Sequence, residues 1–467
     1  MSVGWWILIA AAATGLLLWL VFGINWRGER IYAHEHEQMR RLIDMPEQQE
    51  LRELLFADEL IEKIDERFRP LAQMLRQGYR PSVSESEVEV ITSGARKYDL
   101  LMQDLRNAKE SIHIEYFHFG MDKGSRAVRR MLIRKAREGV KVRFINENIA
   151  NFPIPNRYFH RMEKAGVEVR DFTRTGLSVL RFLLSVSYRD HRKIVVIDGK
   201  IGYTGGMNIN DHYFLQWRDT HLRLTGNAVA ALQYTFLDRW FTISGKLQES
   251  LSSFFPMLNT SNHEPEEQLS AGSSVQDIAQ PSVEGAVLTQ ITPDEPTSPS
   301  PVLLKAYEWI IDHAETYVWL QSPYLAPPDS LLQAMRRAVD RGVDVTVMLP
   351  ERCDTAVMRP LNRVYQEVCA EAGIKILLRS GEFIHSKTIV ADDYLSCIGT
   401  TNLDNRSFGI DFEIDTFFYD RRLALHNKSI FLRDAQQSAE FTTQQAKQRN
   451  RLSRFLDRLT LPLTPIV

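Results

Sequence analysis

The chain has 467 residues, 44% hydrophobic and 25% charged, the composition of a globular protein long enough for two or three domains. Lys and Arg number 57 against 59 Asp and Glu, a formal net charge of −2, so no global field draws the chain to nucleic acid and any anionic substrate must be met by local basic groups. The cysteines, Cys353, Cys369 and Cys397, have neither a CxxC spacing nor a secretory disulfide pattern and read as reduced thiols.

In chain order, the first element is apolar. From Val3 to Ile24 there is no charged residue, and Trp5, Trp6, Trp19 and Trp26 sit near the ends, which predicts a membrane-spanning anchor over 3–24. A cleavable signal peptide is disfavoured, because no Lys or Arg precedes the run and no clear small-x-small site follows it. Arg27, Arg30, Arg40 and Arg41 flank its C-terminal side, so a single pass would leave everything after Ile24 in the cytoplasm. Residues 25–85 are charged, with Leu51, Leu54, Leu55, Leu60, Ile61 and Ile64 at helical spacing, and predict a helical connector.

From there the chain repeats itself. Ala108–Phe119 and Ala314–Leu325 each run from a helix end into a strand. Each is followed by an Arg/Ala-rich helix and a Gly-Val-x-Val strand, beginning at Gly139 and Gly342, and then by an Ala-Gly pair and a further strand. Two sets of βαβ elements predict an α/β fold, two sandwich domains over 86–258 and 285–467, each with a largely parallel sheet, related by a pseudo-twofold axis. The stretch between them, 259–284, is rich in Ser, Pro, Glu and Gln and reads as a solvated linker. Beyond about Leu425 the tail reads as amphipathic helix, with no function attached.

The chemistry sits in two copies of H-x-K-x4-D: His191, Lys193, Asp198 and His385, Lys387, Asp392. The offset between the histidines (385 − 191 = 194) recurs between Gly205 and Gly399, Asn208 and Asn402, and Asp219 and Glu413. Residues two apart on a strand share a face, so each His and its Lys point the same way. Asp198 and Asp392 belong to the motif and are grouped with its catalytic residues, but their opposite parity suits a cap or pair at the strand end. If the halves meet about the axis, both pairs converge on one phosphate at the domain interface. Lys193, Lys387, Asn208 and Asn402 supply donors to its non-bridging oxygens, and one neutral imidazole attacks phosphorus while the other protonates the leaving oxygen. Asp219 and Glu413 are assigned to bond the imidazole Nδ1 atoms and fix the tautomers. Glu115 and Gln321, on matching strands, suit either a bond within the site or a strand-end role. His34 and His36 read as an exposed helical face, and no metal site or cofactor emerges.

The duplicated motif, together with Tyr188–Lys193, Gly205–Asn208, Trp217–His221, Gln321–Tyr324 and Asn402–Phe408, resembles the bacterial cardiolipin synthases of the phospholipase D superfamily over nearly the whole chain after the anchor. That resemblance implies a phosphatidyltransferase of the bacterial inner membrane that condenses two phosphatidylglycerols into cardiolipin and glycerol, with His191 as nucleophile and His385 as acid/base. It leaves open the donor, phosphatidylglycerol or phosphatidylethanolamine, the acceptor alcohol and the oligomeric state. Two departures stand out: one anchor where the family commonly has two segments, and Gly206 where the second repeat has Thr400, which leaves a backbone donor only. The apolar run Leu177–Val186 suits either a membrane-facing lip or a core helix. A hydrolytic phospholipase D or nuclease is the first rival; a nuclease would be expected to show a basic groove, which the charge balance does not provide. The second rival, a catalytically dead scaffold, is opposed by intact motifs in both halves.

Overall fold

The computed structural model describes residues 39–172, 188–245, 249–259, 283–296 and 302–466. The expected anchor (3–24), His34, His36, most of the linker and Leu177–Val186 lie outside the described residues. Among those described, no helix is long and apolar enough to cross a membrane.

The first half contributes strands β1 (Ser84–Ile91), β2 (Ser111–Tyr116), β3 (Lys141–Asn146), β4 (Glu168–Asp171), β5 (Lys193–Ile197), β6 (Ile201–Gly205) and β7 (His221–Gly226). The second contributes β8 (Val287–Asp294), β9 (Tyr317–Gln321), β10 (Leu325–Ala326), β11 (Asp344–Pro350), β12 (Lys375–Arg379), β13 (Thr388–Ala391), β14 (Leu395–Gly399), β15 (Leu403–Asp404), β16 (Glu413–Tyr419) and β17 (Ser438–Phe441). All but β10 and β15 join one sheet of 15 strands, ordered β4-β3-β2-β5-β6-β7-β1 and, mirrored beyond the middle, β8-β16-β14-β13-β9-β11-β12 with β17 at the edge. The halves join where β1 pairs antiparallel with β8.

The expectation of a largely parallel sheet in each half is corrected. Only β2, β3 and β4, and likewise β9, β11 and β12, run parallel; β5, β6, β7 and β1 alternate in direction. The reason is loop length: Asp198-Gly199-Lys200 joins β5 to β6, and so short a link permits only an antiparallel pair. The tail is not all helical either, since β17 adds antiparallel to β12. Four residues with half-exposed ends carry no alternation long enough to read as a strand.

The strands that carry the motif are held on both faces. In β5, Ile194 and Val196 pack beneath helix Ala228–Ser244, while Val195 and Ile197 enter the core beneath helices Gly94–Asn107 and Lys123–Arg137. The connector joins these cores: Leu51 and Leu55 are buried with helix Ala228–Ser244, and Ile61, Ile64, Phe68 and Leu71 with helix Val302–His313.

Asp198 and Asp392 are placed at the far end of the motif strands. Both adopt positive φ, 52° and 51°, immediately after β5 and β13. The Asp198 carboxylate accepts from the backbone N–H groups of Lys109, Glu110 and Ser111 at 2.8–2.9 Å, and Asp392 accepts from Glu315, Thr316 and Tyr317 at 2.8–3.1 Å. Each clamps the start of the neighbouring strand, seven residues beyond its histidine and roughly 20 Å along an extended chain. Their grouping with the catalytic residues is therefore corrected to a structural role. Asp198→Ala is expected to lower unfolding free energy by about 1–3 kcal/mol, the cost of three N–H groups losing a charged acceptor, while leaving turnover per folded molecule within about two-fold. Thermal melts alongside specific activity check this; a fully folded, inactive variant would return the aspartate to the reaction.

Candidate active site

Two short parallel contacts stitch the halves together, Asp190 with Phe412 and Ile384 with Arg218. They are copies of one another, since 384 − 190 = 412 − 218 = 194. The His191 N–H donates to the Phe412 carbonyl at 3.0 Å, and the His385 N–H donates to the Arg218 carbonyl at 2.8 Å. The residue after Phe412 is Glu413, and the residue after Arg218 is Asp219. Each histidine is therefore delivered to a carboxylate of the opposite half. His191 Nδ1 lies 3.0 Å from both Glu413 oxygens, and His385 Nδ1 lies 2.8 Å from Asp219 Oδ2. Both carboxylates are fully buried.

Lys193 and Lys387 share the faces of their histidines, as strand parity requires. Lys193 Nζ donates to the His191 carbonyl at 2.5 Å; Lys387 Nζ donates to that of His385 at 2.5 Å and lies 2.7 Å from its Nδ1. Asn208 accepts from the His118 N–H (3.2 Å) and donates to the Tyr213 hydroxyl (2.9 Å). The Asn402 side-chain oxygen is buried with no hydrogen-bond partner. Glu115 and Gln321 touch neither histidine. Glu115 pairs with the fully buried Arg192 (2.8 Å), and Gln321 donates to Asp434 (3.0 Å), which holds Arg218 (2.6 Å). Arg192 and Arg218 thus sit beside the two contacts that join the halves. Stripping one partner from such a buried pair costs about 3–5 kcal/mol.

The Gly206 departure has a steric cause. A Cβ there would meet Asp219 Oδ1 at 2.1 Å, so the carboxylate that holds His385 reaches its place only against a glycine. Thr400, in the other repeat, spends its hydroxyl on the Ile414 backbone, accepting from its N–H at 2.9 Å and donating to its carbonyl at 3.2 Å. Neither position presents a side-chain donor to a phosphate.

Burial dominates the electrostatics. It pushes His191 well below the ordinary imidazole value, helped by the positive charges of Lys193, Lys387 and Arg406. It lowers His385 to about 4, with Lys387 adding to the shift and Asp219 opposing it. Lys193 falls to about 7 and Lys387 to about 8, both through burial, while Glu413 rises to about 8 for the same reason. Both lysines are desolvated, with Asp219 and Glu413 opposing the shift, and one anion lying between them would raise both values further.

Sequence reasoning missed the groups that make the two ends differ. The Tyr213 hydroxyl lies 3.4 Å from His385 Nε2, and the Tyr213 and Trp217 rings stand 5.2 and 5.5 Å from the imidazole. The residues 194 positions on from Tyr213 and Trp217 are Ser407 and Asp411, and those matching His212 and Phe383 are Arg406 and Arg189. The His385 end therefore gathers three aromatic rings, Tyr213, Trp217 and Phe383, while the His191 end keeps one, Phe117 at 4.9 Å, and has Arg189 and Arg406 at the matching positions. The available signal was the repeat register itself, read for its mismatches.

Because the ammonium form holds the anion, binding weakens as pH rises through the lysine values. Affinity for a soluble phosphodiester, glycerophosphoglycerol, is expected to fall on the order of ten-fold between about pH 6.5 and about pH 9. Titration calorimetry reads it, and an affinity flat across that range would remove the lysines from the anion site.

Comparison with known proteins bears on both halves of the chain. A family profile described as "Cardiolipin synthase, PLD-like domain" matches residues 101–240 and 308–435, one stretch in each half. A cardiolipin synthase of Listeria monocytogenes serotype 4a is 31% identical over 97% of this chain and 90% of its own length. The major cardiolipin synthase ClsA of Bacillus subtilis is 31% identical over 100% of this chain and 94% of its own. Among solved structures, phosphatidylserine synthase of Haemophilus influenzae Rd KW20 covers 82% of this chain and 95% of its own with a TM-score of 0.58 at 15% identity, a likeness of fold. Matched in both halves by one profile, and aligned almost end to end with such relatives, the chain belongs to the cardiolipin synthase family of phospholipase D-like proteins.

Proposed function

We propose that this chain is a phosphatidyltransferase, a cardiolipin synthase that condenses two phosphatidylglycerols into cardiolipin and glycerol through a phosphohistidine. The observation that carries this reading is the exchange of carboxylates: two histidines, each with Nδ1 held from the opposite half, flank a pair of buried lysines. With Nδ1 engaged, Nε2 is the ring nitrogen that serves phosphorus or a transferred proton, at His385 beside the Tyr213 hydroxyl and Lys387 Nζ.

His191 is assigned as nucleophile. Positive neighbours oppose its protonation, whereas at His385 the Asp219 carboxylate works against the burial that lowers it and favours the imidazolium a general acid needs. The Nε2 lone pair of His191 forms the N–P bond as the P–O bond to the departing glycerol breaks, and protonated His385 gives its proton to that oxygen. The hydroxyl of a second phosphatidylglycerol then loses its proton to His385 and attacks phosphorus; the N–P bond breaks and His191 is restored. Lys193 and Lys387 carry the charge on the non-bridging oxygens throughout, with Asn208 and Asn402 assigned beside them. No metal or cofactor enters this scheme. The sequence over 3–24 supports a single membrane anchor, which would hold the site at the bacterial inner membrane with the catalytic halves in the cytoplasm.

His191→Ala and His385→Ala are each expected to lower lipid product by at least about 10³-fold without unfolding the chain. A phosphoenzyme should be trapped in the His385 variant only. Trapping in the His191 variant instead would reverse the two roles.

Transfer and hydrolysis share the first half-reaction, so products decide between them. Full-length protein in phosphatidylglycerol vesicles with isotopically labelled glycerol should form cardiolipin and return label to phosphatidylglycerol, because the acceptor enters where glycerol left. Phosphatidic acid as the main product, with no label in phosphatidylglycerol, would make the chain a hydrolase.

A further inference from the structure

The tail beyond β17 is mounted the wrong way round for a globular protein. Helix Arg451–Arg458 turns its charged face inward: Asp457, buried, bonds Arg363 at 2.6 Å, and Arg454 forms a two-pronged pair with the buried Glu367 of helix Met358–Glu371 at 2.9 and 3.0 Å. Its apolar stripe points out. Leu452, Phe455, Leu456 and Leu459, at i, i+3, i+4 and i+7, are each 54–63% exposed, and Leu461 and Leu463 continue the patch. Of the large hydrophobic side chains exposed among the described residues, nearly half fall within these twelve positions. An ordinary surface helix buries such a stripe and solvates its charges. Here the ion pairs fix the opposite orientation.

We infer that this face docks on an anionic lipid bilayer, setting the mouth of the active site against the membrane. Charge argues for that occupant. From Lys447 to Val467 there are five basic residues and one acidic, in a protein whose net charge is −2; Arg449, Arg454 and Arg458 pair with Asp457 or Glu367, and Lys447 and Arg451 remain to face an anionic surface. Lys447, Arg451 and Arg458 are exposed at or beside the stripe, the pattern of a helix lying in the plane of an interface. Position argues for it too. Segment Leu461–Ile466 packs against helix Asn405–Gly409, which carries Arg406 and Ser407 at the His191 end of the site. The pseudo-equivalent helix Asp211–Leu215, which carries Tyr213, ends in Leu215 at 71% exposure. The two pseudo-equivalent helices beside the site thus each adjoin exposed apolar side chains, and a lipid with its headgroup at the lysines would lay its acyl chains along them. The choice of partner rests on the lipid-condensation reading; the orientation of the tail does not.

The test uses full-length protein, because a tether alone does not insert the tail. Leu456→Cys gives a single accessible thiol, since Cys353, Cys369 and Cys397 are buried; it is labelled with an environment-sensitive fluorophore and the protein reconstituted into phosphatidylglycerol-containing vesicles. Blue-shifted emission, quenched by lipids with a nitroxide high on the acyl chain, is expected. Phe455→Ser combined with Leu456→Ser should lower the rate on vesicles on the order of ten-fold and leave the rate in detergent mixed micelles unchanged. A water-exposed, unquenched probe overturns the proposal. So does an unquenched but blue-shifted probe whose shift disappears on dilution with the oligomer, which assigns the face to a second copy of the chain. A quenched probe in a protein that makes no cardiolipin in either medium keeps the docking and rejects the proposed function.

Discussion

Neither half of this protein can orient its own histidine. The Nδ1 of His191 is held by Glu413 and that of His385 by Asp219, so the tautomer that frees each Nε2 exists only when the halves are in register. Both carboxylates are fully buried, and a buried carboxylate without its partner is a large penalty. That penalty, together with the buried pairs of Arg192 and Arg218, opposes sliding between the halves. The continuous sheet follows from the same demand. A hinge between two separate sheets would leave the imidazole–carboxylate distances free to drift, and a misplacement near 1 Å is enough to lose orientation.

Duplication explains the scaffold, and departures from it explain the chemistry. A strictly symmetric site would present two equivalent imidazoles, each equally ready to be nucleophile or acid. The exchange of Arg189, Arg406, Ser407 and Asp411 at one end for Phe383, His212, Tyr213 and Trp217 at the other removes that equivalence. Basic neighbours favour a neutral His191; at His385 burial and Lys387 also favour the neutral form, and Asp219 opposes that shift.

Much of this was legible in the amino-acid sequence because a constant offset is a strong constraint. The 194-residue spacing located the histidines, lysines, asparagines and acidic partners, and strand parity separated Asp198 and Asp392 from the lysines before any geometry was known. What stayed hidden was whatever depends on which segments meet. The swap of carboxylates between halves arises from the parallel contacts at Phe412 and Arg218, and no local pattern marks them. Glu115 and Gln321 proved to hold buried arginines, a role decided by partners far along the chain. The parallel sheet was over-read, because βαβ periodicity in β2, β3 and β4 drew attention from the three-residue turn that forces β5 and β6 antiparallel. The tail was seen to be amphipathic, but periodicity cannot say which face turns inward. That was set by Glu367 on a distant helix and by the pairing of Asp457 with Arg363.

The depressed lysine values suggest how such a site handles a reaction with little driving force. Burial makes it costly for the two lysines to keep their protons, while the carboxylates of Asp219 and Glu413 oppose the loss. An entering phosphodiester restores the protons, so binding energy goes into building the positive cradle that the transition state needs. Phosphatidylglycerol and cardiolipin present the same single charge at the reacting phosphorus, so the cradle cannot prefer product over substrate. In the proposed reaction one phosphodiester replaces another at nearly equal free energy, and direction falls to concentrations. Lipid is dense at a bilayer surface, while glycerol diffuses away. A site that faces the membrane therefore draws its net synthesis from where it sits, and the histidines need only make the exchange fast in both directions.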